Sequence, residues 1–167
     1  MHTSDNVILI GMPGAGKSTV GVVLAKKLGY RFMDSDLVIQ DREGKLLHEL
    51  ITEHGLEGFL QIENEVNASI ECDRCVIATG GSAVYGAEAM EHFAHIGKVV
   101  YLKLSYEAIR DRLGDLQERG VALKENQTLY SLYEERIPLY EKYADLVIDC
   151  EEKQIREIVM EMTEKLA

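Results

Sequence analysis

The chain has 167 residues, about one domain's length, and its 46% hydrophobic content is enough for a full core without disulfides. No run nears the roughly 20 apolar residues of a membrane span, and the start Met1-His2-Thr3-Ser4-Asp5 does not read as a signal peptide. A net charge of −11 offers no basic face to a nucleic acid, so no polynucleotide partner is expected; the further expectations are a cytoplasmic protein, monomeric, a single domain over 1–167, with a small-molecule substrate and no membrane partner.

In chain order, the apolar run Val7-Ile8-Leu9-Ile10 reads as a first strand. It leads into Gly11-Met12-Pro13-Gly14-Ala15-Gly16-Lys17-Ser18-Thr19, and from there into apolar residues at helical spacing as far as Leu28. A strand before and a helix after is the context that a G-x-x-x-x-G-K-[ST] phosphate loop requires. Gly11, Gly14 and Gly16 can take backbone angles that let several N–H groups converge on one anion. The helix opening at Lys17 adds unpaired N–H donors and its positive dipole end. Gly11, Gly14, Ala15, Gly16, Lys17, Ser18 and Thr19 are therefore candidate nucleotide-binding residues, with Lys17 reaching the outer phosphates and the Ser18 hydroxyl on magnesium. The competing reading is a glycine-rich turn that matches by chance.

Arg31-Phe32-Met33 reads as a second strand ending at Asp34-Ser35-Asp36. In an extended turn both carboxylates can enter one cleft, one holding magnesium through its water shell and the other orienting or deprotonating a substrate hydroxyl. Asp36 would equally suit the N-cap of a helix beginning at Leu37. Helical patterns follow over 37–42, 45–54 and 56–70, then a third strand over 75–79 closed by Gly80-Gly81-Ser82. Cys72-x-x-Cys75 would fit a redox pair or half a zinc site, against a plain buried thiol at the strand's start. A helix over 87–94, a strand over 98–103 and a helix over 106–113 come next. The stretch 114–126 is polar and weakly periodic and is expected to be a lid, lacking an apolar stripe to hold it down. Helix resumes as far as Tyr143, with a fifth strand over 144–148 and a last amphipathic helix over 152–166. Strands alternating with helices predict an α/β fold, a five-stranded parallel sheet with helices on both faces. Ligands bind such sheets at the carboxyl ends of the strands, here the turns after strands one to three.

Phe32-x-Asp34-x-Asp36, Gly80-Gly81, Arg112 with Arg119, and Arg136-x-Pro138-Leu139-Tyr140 follow the phosphate loop in an order and at a spacing that resemble the shikimate kinase family. The resemblance runs from the phosphate loop to the last strand. It implies a P-loop fold of the nucleoside-monophosphate-kinase-like kind and ATP-dependent phosphorylation of a hydroxyl, with ATP and Mg2+ as cofactors. It further implies that Ser18 and Asp34 serve magnesium, that Asp36 binds substrate hydroxyls and acts as base, and that Gly80, Gly81 and Arg136 bind the substrate, Arg136 through its carboxylate. Arg112 would stack on adenine, Arg119 would close over the γ-phosphate from the lid, and the helices over 36–70 would bind the substrate.

The pattern breaks where substrate identity is set. With Gly55, Phe59 and Glu63 fixing the frame, the family's glutamate is Leu56 and its carboxylate-gripping arginine is Leu60, one helical turn apart. The pair reads either as a pocket remodelled as a unit or as two packing residues, and Arg42 or Arg110 could stand in for the lost cation. Ser82 replaces a third glycine, and Arg119-Gly120-Val121-Ala122 replaces the lid's Arg-Pro-Leu-Leu. A kinase of another hydroxy acid or polyol is thus an alternative to a shikimate kinase. A nucleotide switch, suggested by Asp41-Arg42-Glu43-Gly44, and a non-catalytic binding module are further ones; no Asn-Lys-x-Asp guanine-reading motif supports the switch.

Overall fold

The computed structural model describes residues 5–114, 124 and 126–167. Five strands form one sheet: β1 (Asn6–Ile10), β2 (Arg31–Asp34), β3 (Cys75–Ala78), β4 (Gly97–Lys103) and β5 (Leu146–Asp149). All pairings are parallel, in the order β2-β3-β1-β4-β5. The central strand β1 is buried at every residue, as a parallel strand covered on both faces must be. Helices α1 (Lys17–Leu28), α2 (Ser35–Glu43), α3 (Leu47–Ala68), α4 (Ala87–Ile96), α5 (Tyr106–Leu113), α6 (Leu129–Tyr143) and α7 (Ile155–Leu166) complete the fold.

This strand order brings the site together. β3 lies between β1 and β2, with Leu9 beside Ala78 and Ala78 beside Asp34, so the turns leaving these three strands open side by side along one sheet edge. At the opposite end Asn6 ties three segments together. Its Nδ2 donates to the carbonyls of Cys72 (2.9 Å) and Ile96 (3.0 Å), and its Oδ1 accepts the Cys75 N–H (3.0 Å). The main core joins β1, β3 and β4 to α1, α4 and α7, and a second cluster of Ile39, Leu50, Phe59 and Val66 packs α2 on α3.

Several boundaries differ from the sequence reading. α2 begins at Ser35 rather than Leu37 because Asp34 caps it, its side chain accepting the Asp36 N–H. Asp36 is therefore inside the first turn, and the capping alternative for it is overturned. The two helical patterns on either side of Gly55 are one run broken at that residue (φ 73°, ψ 173°). β5 starts at Leu146 because Ala144 closes α6, donating its N–H to the Tyr140 carbonyl (3.1 Å). α7 starts only at Ile155, after a turn in which Glu152 takes φ 55°.

Asp41-Arg42-Glu43-Gly44 lies at the end of α2 and its cap, not on a strand, which removes the switch reading. Cys72, Cys75 and Cys150 are free thiols, Cys75 buried in β3, and no cluster of three His, Cys, Asp or Glu suited to a metal occurs among the described residues.

Candidate active site

The phosphate loop follows β1 without interruption. Gly14 (φ 83°) and Gly16 (φ 88°) hold left-handed angles, and Gly16 is the N-cap of α1 with no side chain capping the helix. The first N–H groups of α1 are thus left for an anion, as a phosphate cradle needs. Lys17 is only 8% exposed, and its Nζ donates to the carbonyls of Gly11 (2.7 Å) and Met12 (2.8 Å). Burial lowers its pKa to about 8, with Asp36 and Asp34 opposing the shift and Arg136 adding to it. Thr19 is exposed in the first turn of α1. From α5, Arg112 reaches over the loop and its Nη1 donates to the Gly14 carbonyl (3.2 Å).

The Ser18 hydroxyl donates to Asp34 Oδ2 (3.4 Å). Asp34's other oxygen, Oδ1, is held by the Asp36 N–H (2.9 Å). Two hard oxygen donors beside a phosphate cradle fit magnesium, which takes few protein ligands and keeps waters.

Asp36, one residue beyond Ser35 in the first turn of α2, faces the turn after β3. A Cβ on Gly80 would lie 2.6 Å from Asp36 Oδ1 and 3.2 Å from Glu63 Oε2, so only glycine lets this backbone run beside both carboxyls. A Cβ on Gly81 would lie 2.6 Å from Pro13 Cδ in the phosphate loop and 2.9 Å from Arg136 Nη1. The Gly80-Gly81 turn is therefore where the phosphate loop, α2, α3 and α6 meet. Burial raises the Asp36 pKa to about 6, with Asp34 adding to the shift and Lys17 opposing it.

Arg136 and Tyr140 stand four apart on α6 and so face inward together. Arg136 is 2% exposed; its Nε donates to Tyr85 Oη (3.4 Å), and its guanidinium lies 5.4 Å from the Tyr85 ring centroid. Tyr140 Oη donates to the Gly81 carbonyl (2.7 Å). Tyr85 Oη donates to Glu135, which also accepts from Lys124 Nζ (3.1 Å).

Outside this junction opens a cleft of about 670 Å³ lined by Leu56, Leu60, Tyr85, Leu132, Glu135 and Arg136 among others. Leu60 also packs partly against the α2–α3 cluster, whereas Leu56 does not, so neither reading of the two leucines excludes the other: both wall the cleft and one also packs. Arg42 bonds Ser69 (3.1 Å) and Arg110 pairs with Asp111 (3.6 Å), and neither lines the cleft, so neither replaces the lost arginine. Arg119, with most of the lid expected over 114–126, lies outside the described residues.

The structure also brings in residues that sequence reasoning did not assign to the site: Glu63, Ser82, Tyr85 and Tyr140. Glu63 carried a signal, because an acid aligned with Phe59 and Val66 on a helix's core-facing side is a buried charge that needs a reason. Tyr85 sits on a short 3-10 helix (Ala83–Tyr85) that no periodicity announces.

A phosphate loop alone serves switches, motors and kinases; a kinase also needs an acceptor cleft within reach of the outer phosphates. This chain has both, and the fold and site define an ATP-dependent small-molecule kinase. The family model for shikimate kinase matches residues 13–167. The shikimate kinase of Methylococcus capsulatus is 39% identical over 162 residues, 95% of this chain and 90% of that protein. Among solved structures, shikimate kinase from Acinetobacter baumannii in complex with shikimate superposes with a TM-score of 0.87 at 32% identity, covering 98% of this chain and 93% of that one. The Aquifex aeolicus shikimate kinase gives 0.81 at 32% identity, covering 96% and 95%. The chain belongs to the shikimate kinase family, and with it uses ATP and Mg2+. No described helix is long and apolar enough to cross a membrane.

Proposed function

We propose that the chain transfers the γ-phosphoryl group of ATP to the 3-hydroxyl of shikimate, as a monomeric cytoplasmic enzyme. The observation that carries this is the meeting of Asp36, Gly80, Gly81 and Arg136 against the phosphate loop, with Pro13 beside Gly81 and Arg136.

Phosphoryl transfer needs positioning and charge stabilisation more than covalent chemistry. The backbone N–H groups from Gly14 to Thr19 cradle the phosphates, and Arg112 packs against the adenine. An ammonium has three donors, so the two loop carbonyls on Lys17 leave a third for an outer phosphate oxygen. Ser18 and Asp34 would hold magnesium, which when bound would supply positive charge against the outer phosphates. Asp36 accepts the proton of the attacking hydroxyl, its pKa of about 6 leaving it ionised at neutral pH yet basic enough to serve. Arg136 holds the carboxylate, and α2 and α3, within 36–70, form the acceptor-binding arm.

The test is ADP release coupled to acceptor phosphorylation, with shikimate run beside a panel of hydroxy acids and polyols. Shikimate-dependent turnover yielding a monophosphate supports the reading. ADP release that no acceptor stimulates would favour a binding module.

A further inference from the structure

Glu63 is a buried acid beside the site with no work assigned to it. It is 2% exposed, its Oε1 accepts from Ser82 Oγ (2.7 Å), and its Oε2 is buried with no hydrogen-bond partner. That second oxygen borders the same small space over the Gly80 α-carbon as Asp36 Oδ1, at 3.2 and 2.6 Å from the position a Cβ would take. Two of the chain's departures from the family pattern converge on it. Leu60, one turn earlier on α3, puts no cation beside it, and Ser82, where the family has glycine, supplies the hydroxyl that holds Oε1.

We propose that Glu63 is a specificity-determining residue of the acceptor site: anchored by Ser82, it presents Oε2 to the hydroxyl next to the one that Asp36 activates, so that the enzyme selects a vicinal diol. A buried carboxyl oxygen without a partner costs free energy until something bonds it. The bound acceptor is the group that comes within reach, since Asp36 and Glu63 flank Gly80 together. Burial pushes the Glu63 carboxyl up to about 7, with the Ser82 bond and Arg136 opposing the shift and Asp36 adding to it. The group therefore carries a proton part of the time near neutrality, and can donate to a hydroxyl oxygen as well as accept from its O–H. Adjacent hydroxyls on a ring match two carboxyls with different protonation, one taking the reacting proton and the other fixing its neighbour.

The inference rests on shikimate being the acceptor, and the experiment separates the two claims. Full-length wild type, Glu63→Gln, Glu63→Ala and Ser82→Ala are assayed with ATP-Mg2+ on shikimate and on 4-deoxyshikimate, which lacks only the hydroxyl beside the transferred one. Wild type should favour shikimate by at least ~10-fold in kcat/KM, expressed mainly in KM. Glu63→Gln, which can still donate and accept, should keep most of that preference. Glu63→Ala should lose most of it through a raised KM for shikimate, and Ser82→Ala should lose part. A Glu63→Ala enzyme that discriminates like wild type overturns the proposal. If Glu63→Ala does not fold, undiminished discrimination in Ser82→Ala does so instead. A wild type inactive on both compounds sinks the shikimate reading, and the inference with it.

Discussion

On the nucleotide side of the proposed site, the consecutive residues from Gly11 to Thr19 would supply the cradle, the lysine and the magnesium hydroxyl, with Asp34 and Arg112 added from outside. On the acceptor side, Asp36, Leu60, Glu63, Gly80 and Arg136 arrive from α2, α3, the β3 turn and α6. The first half is mostly backbone, and backbone geometry is set by a short glycine-bearing motif that tolerates little change. The second half is mostly side chains, each replaceable without moving the chain. Among the described residues, the departures from the family pattern fall on the acceptor side at Leu56, Leu60 and Ser82, while the phosphate loop is intact.

If the halves are separable, their variants should fail in different observables. The largest effect is expected for Asp36→Asn, which removes the proposed base: kcat should fall ~10²- to 10⁴-fold with the affinity for a non-hydrolysable ATP analogue nearly unchanged by calorimetry. Lys17→Ala should cost at least ~100-fold in kcat and weaken the analogue as well. An Asp36→Asn enzyme near full turnover would break the division of labour.

Gly80→Ala tests the junction itself. The added methyl would sit 2.6 Å from Asp36 Oδ1, so the carboxylate must shift, and kcat/KM for the acceptor should drop roughly 10- to 100-fold with nucleotide affinity retained. Loss of nucleotide affinity alone would mean that the turn after β3 supports the phosphate loop rather than the acceptor.

The pH profile sharpens the same contrast, because one titrating group belongs to each half. Asp36 must be deprotonated to act as base, so kcat/KM should rise as pH rises through about 6. Lys17 must be protonated to meet phosphate, so it should fall as pH rises past about 8. In Asp36→Asn the residual activity should keep the alkaline limb and lose the acidic one.

A further effect is on stability. Glu63 binds its proton more tightly folded (pKa about 7) than at its ordinary value of 4.5. Between those values the native state holds a proton that the unfolded chain has lost, so stability falls as pH rises through the window. Glu63→Gln should flatten that slope and gain up to about 3 kcal/mol above pH 7, against nothing at pH 4, by urea denaturation. Parallel wild-type and variant curves across the window would show that Glu63 finds a partner the native fold already provides.

How much the sequence disclosed divides along the same line. Strand alternation and the phosphate loop were legible because each is a local pattern: β1 to β5 and α1 emerge from runs of apolar residues and from one motif. Asp34 and Asp36 were legible as a pair, but which of them caps α2 was not, since both precede an apolar helical run and only the backbone angles decide. Arg136 was visible through its Pro138-Leu139-Tyr140 neighbours. Tyr85, Ser82 and the orphaned oxygen of Glu63 were not, because their roles depend on the β3 turn, α3 and α6 meeting, which no local pattern encodes.

The central claim is that this is a shikimate kinase whose carboxylate grip rests on Arg136 across a cleft walled by leucines. A charge-assisted hydrogen bond is worth about 1.5 to 3 kcal/mol, and each 1.4 kcal/mol is about tenfold, so the missing arginine is worth on the order of 10- to 100-fold in affinity. The direct measurement is kcat/KM for shikimate in wild type, Leu60→Arg, Leu56→Glu and the double variant. The account predicts measurable shikimate turnover in the wild type and a gain of ~10-fold or more in Leu56→Glu/Leu60→Arg over either single change. No shikimate turnover, or a double variant no better than the wild type, would contradict it.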